Sequence, residues 1–323
     1  MTKKVAVIGS GVAGLSCARV LRRAGCFVEI FEKDRIIGGR MATTRLGLVP
    51  FDHGAQYITA RSDRFKAFVS ELTASAYAAP WHPKNAAGEQ ASQLTEWFVG
   101  TPGMSSIVRP LAEGVRLHTD RAVHTIRRTE KGWHLWFEDE TSAGPFNAVA
   151  IATPPSDALL LLGQLDELAK PLEVVRFSPC WAVMARFEER ILPVQDVFSD
   201  MSDVIRWVVR NNAKPGRPAR GDHIVIHAAP EWSRETHDVE PDVIASELWN
   251  EVSNVLNLPP VRPTQLSAYL WRHGVLDEAL GETYLFSSEH LVGVAGDWCR
   301  GRLAEHAFES GFGLGRAILQ ALD

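Results

Sequence analysis

Apolar residues recur along this chain with two different periods, and the places where the period changes outline its elements. Val5-Ala6-Val7-Ile8 is an unbroken apolar run, the pattern of a strand buried on both faces as in a parallel sheet. Leu15, Ala18 and Leu21 follow at helical spacing, Gly25 suits the end of that helix, and Phe27-Val28-Glu29-Ile30-Phe31 predicts a second strand. Paired strands are expected at 121–126 and 133–137, a buried strand at 148–152, and further strands near 180–187, 204–210, 223–229 and 265–272. Residues 291–295 read as a last buried strand. Helical patterning covers 65–69, the stretch after Met104, 241–256 and 307–322. A Pro/His/Asn-rich stretch around 80–93 reads as a loop, and Lys214-Pro215-Gly216-Arg217-Pro218 as an exposed one.

Three glycines turn the first strand into the first helix, in Gly9-Ser10-Gly11-Val12-Ala13-Gly14. The first permits a tight turn, the second lets backbone approach a pyrophosphate, and the third lets helix and strand pack closely. The second strand delivers Glu32, followed by Lys33, about twenty residues later, where a carboxylate can accept ribose hydroxyls. An anionic diphosphate would then sit at the helix N-terminus. A glycine turn before a helix is weak evidence alone; the order strand, glycines, helix, strand, acid makes a dinucleotide site the reading.

Ile37-Gly38-Gly39-Arg40-Met41 resembles the motif that follows the ribose-binding acid in the flavin amine oxidase superfamily, with Arg40 able to meet a diphosphate. Gly54-Ala55-Gln56-Tyr57 resembles the family's strand beside the isoalloxazine ring, and Val123 matches a valine whose backbone meets adenine, although an ordinary core valine fits equally. Thr153, at the end of a buried strand, is again family-like. Gly296-Asp297 resembles the segment that contacts the ribityl-diphosphate, and residues 302–308, including Glu305, His306 and Ala307, lead into a helix aimed at the flavin pyrimidine. The resemblance implies FAD and an α/β architecture. It comprises a Rossmann-like FAD domain (1–58, 101–158 and 286–323) and a discontinuous, mostly antiparallel-sheet α+β substrate domain (59–100 and 159–285).

Length and charge narrow this little. The 323 residues suit about two domains, the net charge of −5 offers no nucleic-acid footprint, and no apolar run is long enough to span a bilayer. Cys17, Cys26, Cys180 and Cys299 show neither zinc nor disulfide spacing, so no metal is expected. Reduced cysteines and an N-terminus without leader character suggest the cytoplasm. Oligomeric state is open.

Two features refine the function. Many family members resembling this pattern place a lysine near flavin N5, yet the last lysine here is Lys214; and no cysteine matches the position of covalent flavin attachment. The compact chain looks most like the bacterial renalases. That resemblance implies noncovalent FAD and oxidation of 2- and 6-dihydro isomers of NAD(P)H to NAD(P)+, with hydride passing to flavin N5 and O2 reduced to H2O2. Oxidation of a small amine and a non-catalytic FAD-binding role are the alternatives. Candidate substrate residues each carry a plainer reading: Arg61 meets a phosphate or stays solvated, Trp97 and Trp271 stack on a ring or fill core, Asn211 bonds the carboxamide or shapes a turn, and His273 bonds or tunes the site.

Overall fold

The computed structural model describes residues 2–84 and 95–323, so the expected loop at 80–93 lies outside the described residues from position 85 on. The chain divides into two compact units, Met1–Gly39 with Val108–Arg176 and Leu276–Asp323, and Arg40–Ile107 with Phe177–Val275.

In the first unit a six-stranded sheet runs in the order Leu285–Ser287, Val292–Val294, Ala148–Ile151, Lys4–Ile8, Phe27–Phe31, Arg116–His118. All pairings are parallel except that of Leu285–Ser287 with Val292–Val294. Val5, Ala6 and Val7 at its centre are fully buried, as an apolar run covered on both faces must be. The Val12–Arg23 helix buries Leu15, Cys17, Ala18 and Leu21. The Ala304–Leu322 helix packs directly on it, with Ser16 Oγ donating to the Phe308 carbonyl at 2.8 Å. That last helix starts three residues before the apolar periodicity does, because its polar first turn carries no periodic signal. An antiparallel three-stranded sheet, Val123–Thr129, Gly132–Phe137 and Ser142–Phe146, completes the unit.

The second unit is built on a five-stranded sheet in the order Val197–Ser199, Ile205–Arg210, Asp222–Ala228, Arg176–Phe187, Gln265–Glu278. Strand alternation gives it two unlike faces. One presents Trp181, Val183, Ala185, Phe187, Val208, Ile224 and Ile226 to Ile244, Leu248, Trp249 and Val252 of the Pro241–Val255 helix, forming a continuous apolar core. Burying each such large side chain contributes roughly 1.5–3 kcal/mol. The other face carries Trp207, His227, Ala182 and Met184, with Tyr269, Trp271 and His273 on the neighbouring strand.

Two expectations need correction here. The stretch after Met104 forms the short 3-10 turns Met104–Ile107 and Arg109–Leu111 instead of an α-helix, since Pro110 supplies no N–H and Gly114 ends the segment at positive φ. The 214–218 loop is exposed only at Gly216 and Pro218: Lys214 and Arg217 are buried, drawn in by the carboxylate of Asp52.

Candidate functional site

The glycine loop of the first unit is shaped by its own backbone. Gly9 N–H donates to the Phe31 carbonyl at 2.8 Å, and Gly38 N–H donates to the Ser10 carbonyl at 3.0 Å. Gly39, at φ +54°, is so close that a Cβ there would stand 3.7 Å from Gly11 Cα. The two glycine motifs therefore meet. A Cβ on Gly14 would overlap the Gly9 carbonyl, which is why the helix can start so near the strand.

Gly11 caps the Val12–Arg23 helix without a side-chain bond, no acid sits in the first turn, and the space beside Gly11 is open. The helix N–H groups at Val12, Ala13 and Gly14 thus form a place for an anion. Glu32 is buried at the strand end. Its Oε2 accepts from Ser10 N–H at 2.8 Å and Ser10 Oγ at 2.6 Å, and its Oε1 accepts from Asp34 N–H at 3.0 Å. These bonds orient the carboxylate toward the loop while leaving lone pairs for a ribose hydroxyl. Lys33 instead holds Asp157 at 3.0 Å in an exposed pair.

The terminal segment of the same unit supplies a second group of candidates. Gly296 N–H donates to Ser310 Oγ at 3.0 Å, and the Asp297 carbonyl accepts from the N–H groups of Arg300 and Gly301. Trp298 Nε1 donates to the Thr153 carbonyl at 3.2 Å. Asp297, Glu305 and Ala307 are buried, whereas Val123 is half-buried at the start of its strand. Thr153 Oγ1 and His306 Nδ1 are buried without a hydrogen-bond partner. Buried polar atoms are ordinarily satisfied, so two orphans beside an uncapped helix N-terminus fit a polar, anionic group such as the diphosphate and flavin of FAD.

In the second unit Asp52 is the hub. Its Oδ1 accepts from Thr43 Oγ1 at 2.8 Å and Met104 N–H at 2.9 Å, and its Oδ2 accepts from Lys214 Nζ at 3.2 Å and from Arg217. Two cations and two further donors hold the carboxyl down at about 2 despite its burial. Lys214 Nζ also donates to Gln56 Oε1 at 2.9 Å and Asn211 Oδ1 at 3.3 Å, so its three protons are spent. For this ammonium, desolvation and the nearby guanidinium outweigh Asp52, and the group is pushed down to about 8. Asn211 is fully buried, with Nδ2 on the Pro50 carbonyl and Oδ1 shared between Asp52 N–H and Lys214. The amide expected to meet a substrate carboxamide is thus occupied within this network.

The same network ties down residues 54–57. Gln56 Nε2 donates to the carbonyls of Asp52 and Gly54, and Ala55 N–H donates to the Arg40 carbonyl at 2.8 Å. The Arg40 guanidinium lies 5.4 Å from the Phe177 ring, which meets His273 edge-on at 5.6 Å. Tyr57 stacks on Trp97 at 3.8 Å, with Trp81 and Trp207 around them. Arg61 stays exposed next to Ser62, the N-cap of the Asp63–Ala74 helix.

A second aromatic group gathers around His53. Its ring lies 4.8 Å from Trp271 and 5.1 Å from Tyr269, and its carbonyl accepts from both Trp271 Nε1 and His227 Nε2 at 3.0 Å. Burial pushes both imidazoles down to about 4, so they are neutral at pH 7. Trp271 and His273 therefore share a sheet face with His227 and Trp207, two residues that sequence reasoning did not select. Neither was visible beforehand, because a histidine or tryptophan at an alternating strand position looks the same whether it faces core or ligand.

Among the described residues no group of His, Cys, Asp or Glu is arranged to hold a metal, and no helix is long and apolar enough to cross a membrane. Residues 7–72 match the NAD(P)-binding Rossmann-like domain. A 58-residue stretch is 52% identical to lysine-specific histone demethylase 1 homolog 3 of Arabidopsis thaliana, covering 18% of this chain and 4% of that one. A 57-residue stretch is 42% identical to 1-hydroxycarotenoid 3,4-desaturase of a Flavobacterium species, covering 18% and 12%. The chain thus spans only a small part of the length of these relatives. In fold it is similar over 100% of both chains to cyclohexylamine oxidase from Brevibacterium oxydans, with a TM-score of 0.73 at 13% identity. Residues 75–313 match the flavin containing amine oxidoreductases, and with a dinucleotide loop preceding that match the chain belongs to this FAD-dependent family of oxidoreductases.

Proposed function

We propose that this protein oxidises the 2- and 6-dihydro isomers of NAD(P)H to NAD(P)+, with noncovalent FAD and O2. The balance is NAD(P)H isomer + O2 + H+ → NAD(P)+ + H2O2. On this reading the unit containing the glycine loop binds the cofactor and the unit with the five-stranded sheet binds substrate. FAD, when bound, would supply the two-electron acceptor for the hydride, with O2 as the final oxidant.

The observation that carries this reading is that, among the described residues, the aromatic sheet face presents weak bases only. Lys214 has its protons committed inside the Asp52 network, and burial pushes His53 and His227 down to about 4, which makes them poor proton acceptors. Hydride loss from a dihydropyridine forms an aromatic cation directly, so the chain needs to orient the ring and exclude water without removing a proton. Trp271 and Tyr269 offer π-faces that favour the positive charge growing on that ring. Arg61, exposed at its helix end, carries a guanidinium of the kind that meets a substrate phosphate.

Oxidation of a small amine is the second reading, favoured by the steep 66° angle between Tyr269 and Trp271, which suits a narrow aromatic slot. Anaerobic mixing of the holoenzyme with 2-, 4- and 6-dihydro isomers of NAD(P) and with a panel of amines separates them. Rapid flavin bleaching by the 2- and 6-isomers is expected. Bleaching by amines alone would refute the proposal, and bleaching by none would leave the non-catalytic role.

A further inference from the structure

His53 is 6% exposed, yet its Nδ1 has no hydrogen-bond partner. Leaving such an atom unsatisfied costs about 1–3 kcal/mol, so a buried orphan acceptor here points to a missing ligand atom. The position of the ring is well defined. The His53 carbonyl fixes Trp271 and His227 from two different strands, each at 3.0 Å, and the ring is held between Trp271 and the edge of Tyr269.

The protonation state follows from the neighbours. Burial and His227 keep the imidazole neutral, and a hydrogen bond to the Ala42 backbone favours a proton on the ring. With Nδ1 unpartnered, that proton belongs on Nε2, which leaves a lone pair at Nδ1. The complement of this atom is an N–H donor, and the Trp271 and Tyr269 rings beside His53 suit a flat group that carries it. An ammonium donor is disfavoured, because the nearest carboxylate, Asp52, is saturated by Lys214, Arg217, Thr43 and Met104. Trp207 Nε1, on the same sheet face, is likewise buried without a partner and is a donor. A primary carboxamide carries both a donor and an acceptor.

We propose that His53 is a specificity-determining residue whose Nδ1 accepts a hydrogen bond from the N–H of a ring carboxamide; this rests on the dihydronicotinamide reading above. Two probes isolate the bond: benzamide, and acetophenone, which replaces the amide NH2 by CH3 with nearly the same shape. Each is titrated into holoenzyme by flavin difference absorbance and by calorimetry, for wild type, His53→Phe and His53→Gln.

Wild type is expected to prefer benzamide by about five- to tenfold, the worth of one hydrogen bond. His53→Phe should lose that preference while keeping acetophenone binding, and His53→Gln, whose amide oxygen is again an acceptor, should restore part of it. With the 2-dihydro isomer of NADH, His53→Phe should raise KM by a similar factor and change kcat less. A wild type without preference, or a preference that survives in His53→Phe, overturns the proposal. If His53→Phe does not fold, His53→Leu, which likewise offers no acceptor, is titrated in its place, and a benzamide preference that survives there overturns the proposal. The functional reading stands apart: if dihydro isomers fail to bleach wild-type flavin but the His53-dependent amide preference is present, the substrate reading falls and the His53 assignment remains.

Discussion

Asp52→Asn and Lys214→Met should destabilise the fold unequally, although they remove opposite ends of one buried ion pair. Asp52 accepts from four partners, two of them cationic, and replacing it by an amide turns an NH2 group toward donors and leaves Lys214 and Arg217 buried without a counter-charge. Breaking a buried pair in this way costs about 3–5 kcal/mol. Lys214→Met leaves Asp52 with Arg217, Thr43 Oγ1 and Met104 N–H, and it also removes an ammonium whose burial already outweighs its pairing, as its fall to about 8 indicates. The remaining loss is a donor to Gln56 Oε1 and Asn211 Oδ1, on the order of 1–2 kcal/mol. Urea unfolding of the two variants at pH 7, compared by midpoint at constant slope, measures the difference. A Lys214→Met cost equal to or above that of Asp52→Asn would refute the view that Asp52 organises the cluster.

Three further outcomes are expected. Gly14→Ala, whose Cβ would overlap the Gly9 carbonyl, should purify with little or no flavin, read from absorbance near 450 nm against protein. Acid precipitation of holoenzyme should leave FAD in the supernatant, since burial raises the Cys299 thiol to about 12 and keeps it from acting as a thiolate; yellow pellets would contradict this. Stability should fall between pH 6.5 and 4: the unfolded histidines take up protons near 6.5 while His53 and His227 stay neutral until about 4, so the unfolded state binds more protons in that window. The loss is up to about 3 kcal/mol per histidine, and His227→Gln should flatten the urea-midpoint profile over that range.

The dinucleotide half of the molecule was legible because its signals are local. Val5 to Ile8, the glycines at 9, 11 and 14, and Glu32 act within a strand, a turn and a helix that are contiguous in the chain, so their spacing alone predicts their geometry. The same holds for the alternation that marks the five-stranded sheet, whose strands lie close to where periodicity places them. The helix expected after Met104 failed because a proline and two small turns interrupt a pattern too short to enforce one period.

Local sequence thus determined the cofactor class, through backbone shape that neighbouring residues dictate. Tertiary structure decided which side chains form the substrate face, because that depends on partners far apart in sequence. Lys214 and Arg217 look like solvated charges in a Pro/Gly loop until Asp52, more than 150 positions earlier, is brought beside them. His53 looks like one more residue before Gly54 until a backbone carbonyl gathers His227 and Trp271 around it. Burial and charge pairing are properties of the folded surroundings, and they are what turned an apparent surface loop into a buried anchor and an unselected histidine into the centre of the aromatic face.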